Sequence, residues 1–248
     1  PAAAAAAPGV SPLEQLARAH PELRRAADVL AALGAAVAAG AAEWQSDEGI
    51  HDEVLAVRLD AGIPALAGEP LLDGAALLDG VRRVGAALER VGGTGEGSAG
   101  EAARTVVAAL DRAFPSPADA DALAAAALAG EWDAARDLAR RLDVDEDALV
   151  TLLDYAARGA LRAAGARVRA LLERRAAAGG TGTRTWERGV CPACGAPPVL
   201  AELRGKEQGR TLRCARCDGA WAFARLACPA CGERDHRKLL SLSGEGEE

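Results

Sequence analysis

The sequence predicts a mainly α protein, with an N-terminal helical domain over residues 11–180 and a C-terminal cysteine-knuckle metal module over residues 181–248. Three observations carry that reading. Half of the 248 residues are apolar, and these are dominated by Ala, Leu and Val, with two Phe, one Tyr and four Trp; such a composition favours helices packed through small side chains over a β-sandwich. Apolar positions recur at helical spacing through most of the first 180 residues. All six cysteines fall between Cys191 and Cys231 as three Cys-x-x-Cys pairs, a clustering that points to metal ligation before disulfides in a chain with no secretory signal.

Residues 1–10, an Ala and Pro tract, hold nothing that packs a core and read as a tail. Ser11-Pro12 is a helix-start pair, with Leu13, Leu16 and Ala17 on one face, and His20-Pro21 restarts a second helix through Leu23, Ala27, Leu30 and Leu33. A short helix is expected from Ile50 to Leu59, a break at Gly62 and Pro64, and a longer helix from Leu71 to Val91 carrying Leu72, Leu77, Leu78, Val81 and Leu88. Gly92 to Gly100 reads as a loop. Val106, Val107, Leu110 and Phe114 then mark a helix, Ser116-Pro117 with Asp119 starts the next, and Asp143 with Glu146 starts the longest. Its apolar stripe runs through Leu149, Leu152, Leu153, Ala156, Leu161, Ala164, Val168, Leu171 and Leu172 until Gly179-Gly180 ends it, leading directly into the metal module.

Charge divides along the same line. Residues 1–180 hold 18 basic against 27 acidic side chains, and residues 181–248 hold 11 against 9, within a net charge of −7. An acidic body does not favour nucleic acid as a partner and confines any basic footprint to the cysteine module. No charge-free apolar run reaches the roughly 18 residues of a membrane span, and no basic n-region precedes a Leu-rich segment, so the expected compartment is the cytoplasm. The helical part contains no phosphate loop, nucleophile elbow, nicotinamide fingerprint or His and carboxylate cluster at ligand spacing. It reads as a scaffold or docking surface and not as an enzyme. His51-Asp52 reads as a solvated helix start, and Trp44, Trp132 and Tyr155 as packing residues.

The first and third cysteine pairs share the run Cys-Pro-Ala-Cys-Gly, at Cys191 to Gly195 and at Cys228 to Gly232; the second is Cys214 with Cys217. In such a knuckle a tight turn aims two thiolates at one ion, backbone N–H groups point at the sulfurs, and the glycine supplies positive φ. Nineteen residues separate Cys194 from Cys214, the loop length of a paired-knuckle ribbon, with Val199-Leu200 and Thr211-Leu212-Arg213 as its short strands around Gly205 to Gly209. Cys191, Cys194, Cys214 and Cys217 are therefore the expected four-thiolate site, suited to zinc or to a rubredoxin-like single iron. Dithiol exchange by Cys-Pro-x-Cys would need a βαβ setting that is missing. Cys228 and Cys231 have no partner pair. They could share the second pair across a 10-residue gap, be completed by His236, or await a fourth pair beyond Glu248, and the last is the expectation.

Beyond the cysteines, Gly195, Pro198, Leu212, Trp221 and Arg225 stand in the register of a known signature. With the three pairs they make about the last 60 residues similar to the formate dehydrogenase accessory protein FdhE family; upstream, the helical organisation and His20-Pro21 agree more loosely. The resemblance implies a helical domain followed by two tandem rubredoxin-like modules, iron as the metal, and a role in making active formate dehydrogenase through contact with its catalytic subunit. The family carries four cysteine pairs, the fourth completing a second site with Cys228 and Cys231. Within the module Trp221 is expected to pack across the two knuckles and Arg225 to bond to backbone or to a partner carboxylate. A homodimer is left open. The competing reading is a nucleic-acid or transcription-associated ribbon adaptor, resting on Arg204, Lys206, Arg210, Arg213, Arg216 and Arg225; its weakness is that only Trp221 and Phe223 could stack on bases.

Overall fold

The computed structural model describes residues 11–44, 50–93, 95–177, 186–205 and 209–238. The expected tail at 1–10, the Gly179-Gly180 stop and Lys206 lie outside the described residues. Among the described residues, eight α-helices precede a three-stranded antiparallel sheet: α1 Pro12–Ala19, α2 Arg24–Glu43, α3 Asp52–Asp60, α4 Gly74–Val91, α5 Ala99–Ala113, α6 Asp121–Ala129, α7 Trp132–Leu142, α8 Glu146–Ala177, β1 Leu200–Arg204, β2 Gly209–Arg213 and β3 Ala220–Ala222. The chain divides into two compact units, one of residues 1–44 and 72–160, the other of residues 45–71 and 161–248. The sequence draws its boundary after residue 180. That boundary lies outside the described residues; the two compact units divide within α8, and residues 50–71 fall in the unit that contains the cysteines.

In the first unit α4 is the central element, packed against α2, α5 and α6. Leu77, Leu78, Val81, Val84, Ala87 and Leu88 are all buried, and glycines between them admit neighbours closely: a Cβ at Gly80 would lie 3.0 Å from that of Ala156. Caps set the helix ends. Ser11 accepts from the Glu14 N–H at 3.2 Å, Asp73 from Ala76 at 2.7 Å, and Ser98 from Glu101 at 3.2 Å while the Glu101 carboxylate reaches back to the Gly97 N–H. The last pair starts α5 at Ala99, inside the expected loop.

Four local expectations change. Pro21–Leu23 and Pro117–Ala120 are single 3₁₀ turns ahead of α2 and α6, because a proline start tightens the first turn before the α ladder is established. The segment after Ser116 holds two helices, split where Gly130 turns left-handed at φ 76°. Asp143, expected to start α8, closes α7 at φ 54°; Asp145 caps α8 by accepting from the Ala148 N–H at 2.7 Å. Leu16, Leu23 and Leu30, expected on the core face, are 40–48% exposed, whereas Ala17, Ala27, Leu33, Ala36 and Val37 are buried.

Among the described residues one helical segment, Pro21–Glu43, is long and apolar enough to cross a membrane by length and composition, with a mean hydropathy of 1.5. It contains Asp28 and packs α2 onto α1 and α4.

The start of α4 gives a direct test of this packing. A Cβ at Gly74 would fall 2.1 Å from the Pro117 carbonyl oxygen, and the Gly74 N–H donates to Asp121 Oδ1 at 2.7 Å. Gly74→Ala is expected to lower stability by about 1–3 kcal/mol through enforced main-chain displacement, read as a lower urea midpoint at unchanged slope.

Candidate metal centre

Three turns of the same construction form the cysteine region. The N–H of the first cysteine donates to the carbonyl five residues on: Cys191 to Ala196 at 2.9 Å, Cys214 to Gly219 at 2.9 Å, and Cys228 to Glu233 at 2.8 Å. The fourth residue after each first cysteine has positive φ: Gly195 at 78°, Asp218 at 56° and Gly232 at 75°. The glycine expectation therefore holds at the first and third knuckles, and at the second an aspartate, Asp218, takes the left-handed conformation that Asp tolerates better than most side chains. At Cys228 backbone N–H groups act on the sulfur as expected. Those of Cys231 and Ala230 hold the Cys228 thiol below its ordinary range.

The sheet brings the first two knuckles together. β1 pairs with β2 in register Leu200 to Arg213 through Arg204 to Gly209, and β2 pairs with β3, so that the hairpin between Cys194 and Cys214 closes as the spacing requires. The third strand is not among the expected elements, since three residues following a turn give no usable period. As a result the sulfurs of Cys191, Cys194, Cys214 and Cys217 all lie within 4.8 Å of one another. Cys191 and Cys217 are 3.4 Å apart and Cys194 and Cys214 3.5 Å apart. A tetrahedral ion with metal–sulfur bonds of about 2.3 Å separates its sulfurs by about 3.8 Å, so this donor set fits zinc or iron with small adjustments.

Its electrostatics ask for a cation. Cys191, Cys214 and Cys217 are buried and Cys194 is half-buried. The Cys191 thiol is pushed up by its hydrogen bond with Cys194, and the Cys217 thiol by its hydrogen bond with Cys191, with burial adding to both. Hydrogen bonding from Cys191 in turn holds Cys194 and Cys214 down. Four such thiols cannot ionise together in a buried pocket unless a positive ion sits among them. Gly219 is the glycine that this crowding requires: a Cβ there would meet Cys191 Sγ at 3.0 Å and Cys217 Sγ at 3.2 Å.

The unit's other segments hold the knuckles in place. The Ala65 and Leu66 N–H groups donate to the Pro192 and Ala193 carbonyls at 2.8 and 2.9 Å, which seats the first knuckle on the chain following α3. Arg58 steadies that segment through the Ala65 carbonyl and an ion pair with Glu69, and Arg188 donates to the Gly62 carbonyl. Arg174 and Arg175 pair with Asp52 and Asp60, fastening α3 to the end of α8. Asp52 is thus an ion-pair partner as well as a helix start.

Cys228 and Cys231 lie outside the four-sulfur cluster, half-buried and exposed respectively. Their turn sits against Gly189, where a Cβ would clash with the Pro229 carbonyl at 1.8 Å. His236 opens a 3₁₀ turn, His236–Lys238. Trp221 is buried opposite Leu212, and its indole N–H donates to the Arg188 carbonyl at 3.2 Å. The Arg225 side chain is exposed; its carbonyl accepts from Arg210. Sequence reasoning missed residues 58–69 as support for the site, because main-chain donors 127 positions from their acceptors leave no periodic or motif signal.

Fold and site together define a helical scaffold carrying a four-thiolate, zinc-ribbon-like module. No protein-family model matches the chain. Two curated proteins do: a protein named FdhE homolog from Pseudomonas aeruginosa, 41% identical over 71 residues, and another of that name from Stutzerimonas stutzeri, 40% identical over 60 residues. These matches cover 27% and 23% of this chain, and 23% and 19% of the relatives' own length. The crystal structure of the FdhE protein from Pseudomonas aeruginosa superimposes with a TM-score of 0.54 at 25% identity, over 95% of this chain and 72% of that one. The chain is thus similar to FdhE proteins in part of its sequence and in fold over most of its length.

The cluster makes a contrasting prediction for its cysteines. Cys214→Ser is expected to cut bound zinc or iron sharply, while Cys231→Ser leaves the metal of this site in place. Elemental analysis of the purified variants, with circular dichroism for fold, reads both.

Proposed function

We propose that the chain is an accessory protein of formate dehydrogenase maturation, that it binds the catalytic subunit through its helical scaffold, and that Cys191, Cys194, Cys214 and Cys217 hold one zinc or iron ion. The observation that carries the proposal is the likeness to the FdhE structure across 95% of the chain, with the sequence match to FdhE homologs beside it. The buried four-sulfur cluster supports a structural metal: all four donors come from the protein, which leaves no open position for a substrate or an activated water. When bound, the ion would neutralise the thiolates and fix the two knuckles. What the protein's own residues do is present a shaped surface, the reading that accords with an accessory role in the cytoplasm and not with catalysis.

The third knuckle belongs to the same proposal. Cys228 and Cys231 already have the turn of a ligand pair, with backbone N–H groups favouring the Cys228 thiolate, and they are assigned to a second metal site completed by further donors.

The test is affinity capture of the tagged full-length protein from its own cells under anaerobic conditions, with bound proteins identified by mass spectrometry. Enrichment of a formate dehydrogenase catalytic subunit is the expected outcome. Enrichment of polymerase, ribosome or nucleic acid in its place would overturn the accessory reading in favour of a ribbon adaptor.

A further inference from the structure

One face of α8 meets the second knuckle through Arg162, Gly165 and Arg169, spaced three and four residues apart and so stacked along a single side of the helix. At the middle position a Cβ would lie 3.1 Å from Cys217 Cβ, 3.2 Å from the Cys217 carbonyl oxygen and 3.6 Å from its sulfur. The glycine therefore brings the helix backbone up against a metal-ligand residue. On one side Arg169 Nη1 donates to the Cys217 carbonyl at 3.1 Å. On the other, Arg162 Nε lies 2.9 Å from Asp218 Oδ2, buried and without a well-aligned hydrogen-bond acceptor. Asp218 occupies the positive-φ position that the other two knuckles fill with glycine, so its carboxylate is available to meet Arg162 at the cost of a less comfortable backbone.

We propose that Arg162, Gly165 and Arg169 form the outer shell of the four-thiolate site: Gly165 admits the Cys214–Cys217 knuckle, and the two guanidinium groups hold it in ligating geometry while offsetting the site's negative charge. A divalent ion with four thiolates carries a net charge of −2, and in a buried setting positive groups beside it stabilise the loaded state. The arginines are positioning residues. They reach the metal through Cys217 and Asp218, in the way that groups behind first-shell ligands tune ligand orientation and basicity. The inference rests on the assignment of the four cysteines as ligands and is independent of the partner.

Zinc affinity of the full chain is measured by competition with a chromophoric chelator for the wild type, for R162Q and R169Q singly and combined, and for R169K. The combined variant is expected to lose about tenfold or more in affinity, the range typical of outer-shell replacements, while R169K, which keeps the charge, retains most of it. In the iron-loaded protein the Gln variants should shift the reduction potential negative and R169K should restore it, because loss of a nearby positive charge disfavours the more negative reduced site; a purely structural role would not follow charge in this way. Wild-type affinity and potential in a folded combined variant would overturn the proposal, and if that variant loses helicity the single variants decide by the same readouts. A wild-type chain that retains no metal would overturn the ligand assignment itself, a result distinct from metal held equally by wild type and variants.

Discussion

Four thiols drawn into one buried pocket set the terms for everything else in the cysteine-containing unit. Neutral, they form weak sulfur contacts and leave the pocket poorly held; ionised without a cation, they repel one another in a medium that screens little. A single divalent ion would remove the conflict and become the strongest bond between two knuckles otherwise joined through a short sheet. The sheet alone is a modest anchor: β3 has three residues, and the side chains facing inward between β2 and β3 are chiefly Leu212 and Trp221. Small sheets of this kind are rarely stable without a metal or another cross-link. The glycine at 219 follows from the same constraint, since any side chain there would occupy space that two sulfurs need.

The three knuckles separate what local sequence decides from what tertiary contact decides. Their turns are alike, down to the hydrogen bond spanning five residues and the positive φ at the fourth, although two are joined in a cluster and the third is not. The turn is therefore encoded within five or six residues, chiefly by the cysteine spacing, since the second knuckle adopts it with Ala215 and Asp218 where the other two carry proline and glycine. Pairing is encoded elsewhere: the hairpin between Cys194 and Cys214 determines that the first knuckle finds the second.

This is also why the cysteine site was legible and its supports were not. Cys-x-x-Cys pairs with a ribbon-length gap are short-range information, as is the stripe of α8, whose Leu149, Leu152, Leu153, Leu161, Ala164 and Val168 are all buried. Asp143 and Asp145 show the limit of that information. Both are acceptable caps two residues apart, and the choice depends on α7 ending in a left-handed turn. Leu16, Leu23 and Leu30 show another: helical spacing identifies an apolar stripe, but its packed line proved narrower, formed by Ala17, Ala27, Leu33, Ala36 and Val37, because the small residues in it allow close helix approach. The contribution of residues 58–69 and of Arg162, Gly165 and Arg169 leaves no local trace, since each is defined by a partner about 48 to 127 positions away along the chain.

Those separations change what the metal module is. By sequence it resembles an appendage that begins after residue 180, a unit that could be cut off and studied alone. The first knuckle, however, takes two main-chain hydrogen bonds from Ala65 and Leu66, and the second rests on Gly165 and Arg169. Each of these two cysteine pairs is thus held by a segment outside the ribbon, and a bound ion would link both pairs. Bringing such distant segments together costs loop-closure entropy that local turns do not, and metal binding to a preformed pocket offsets part of that cost only once the segments have docked. Occupancy of the site and docking of residues 50–71 and 161–177 onto the ribbon are therefore thermodynamically linked: whatever favours one favours the other, and whatever reads the surface formed by those segments also reads the metal.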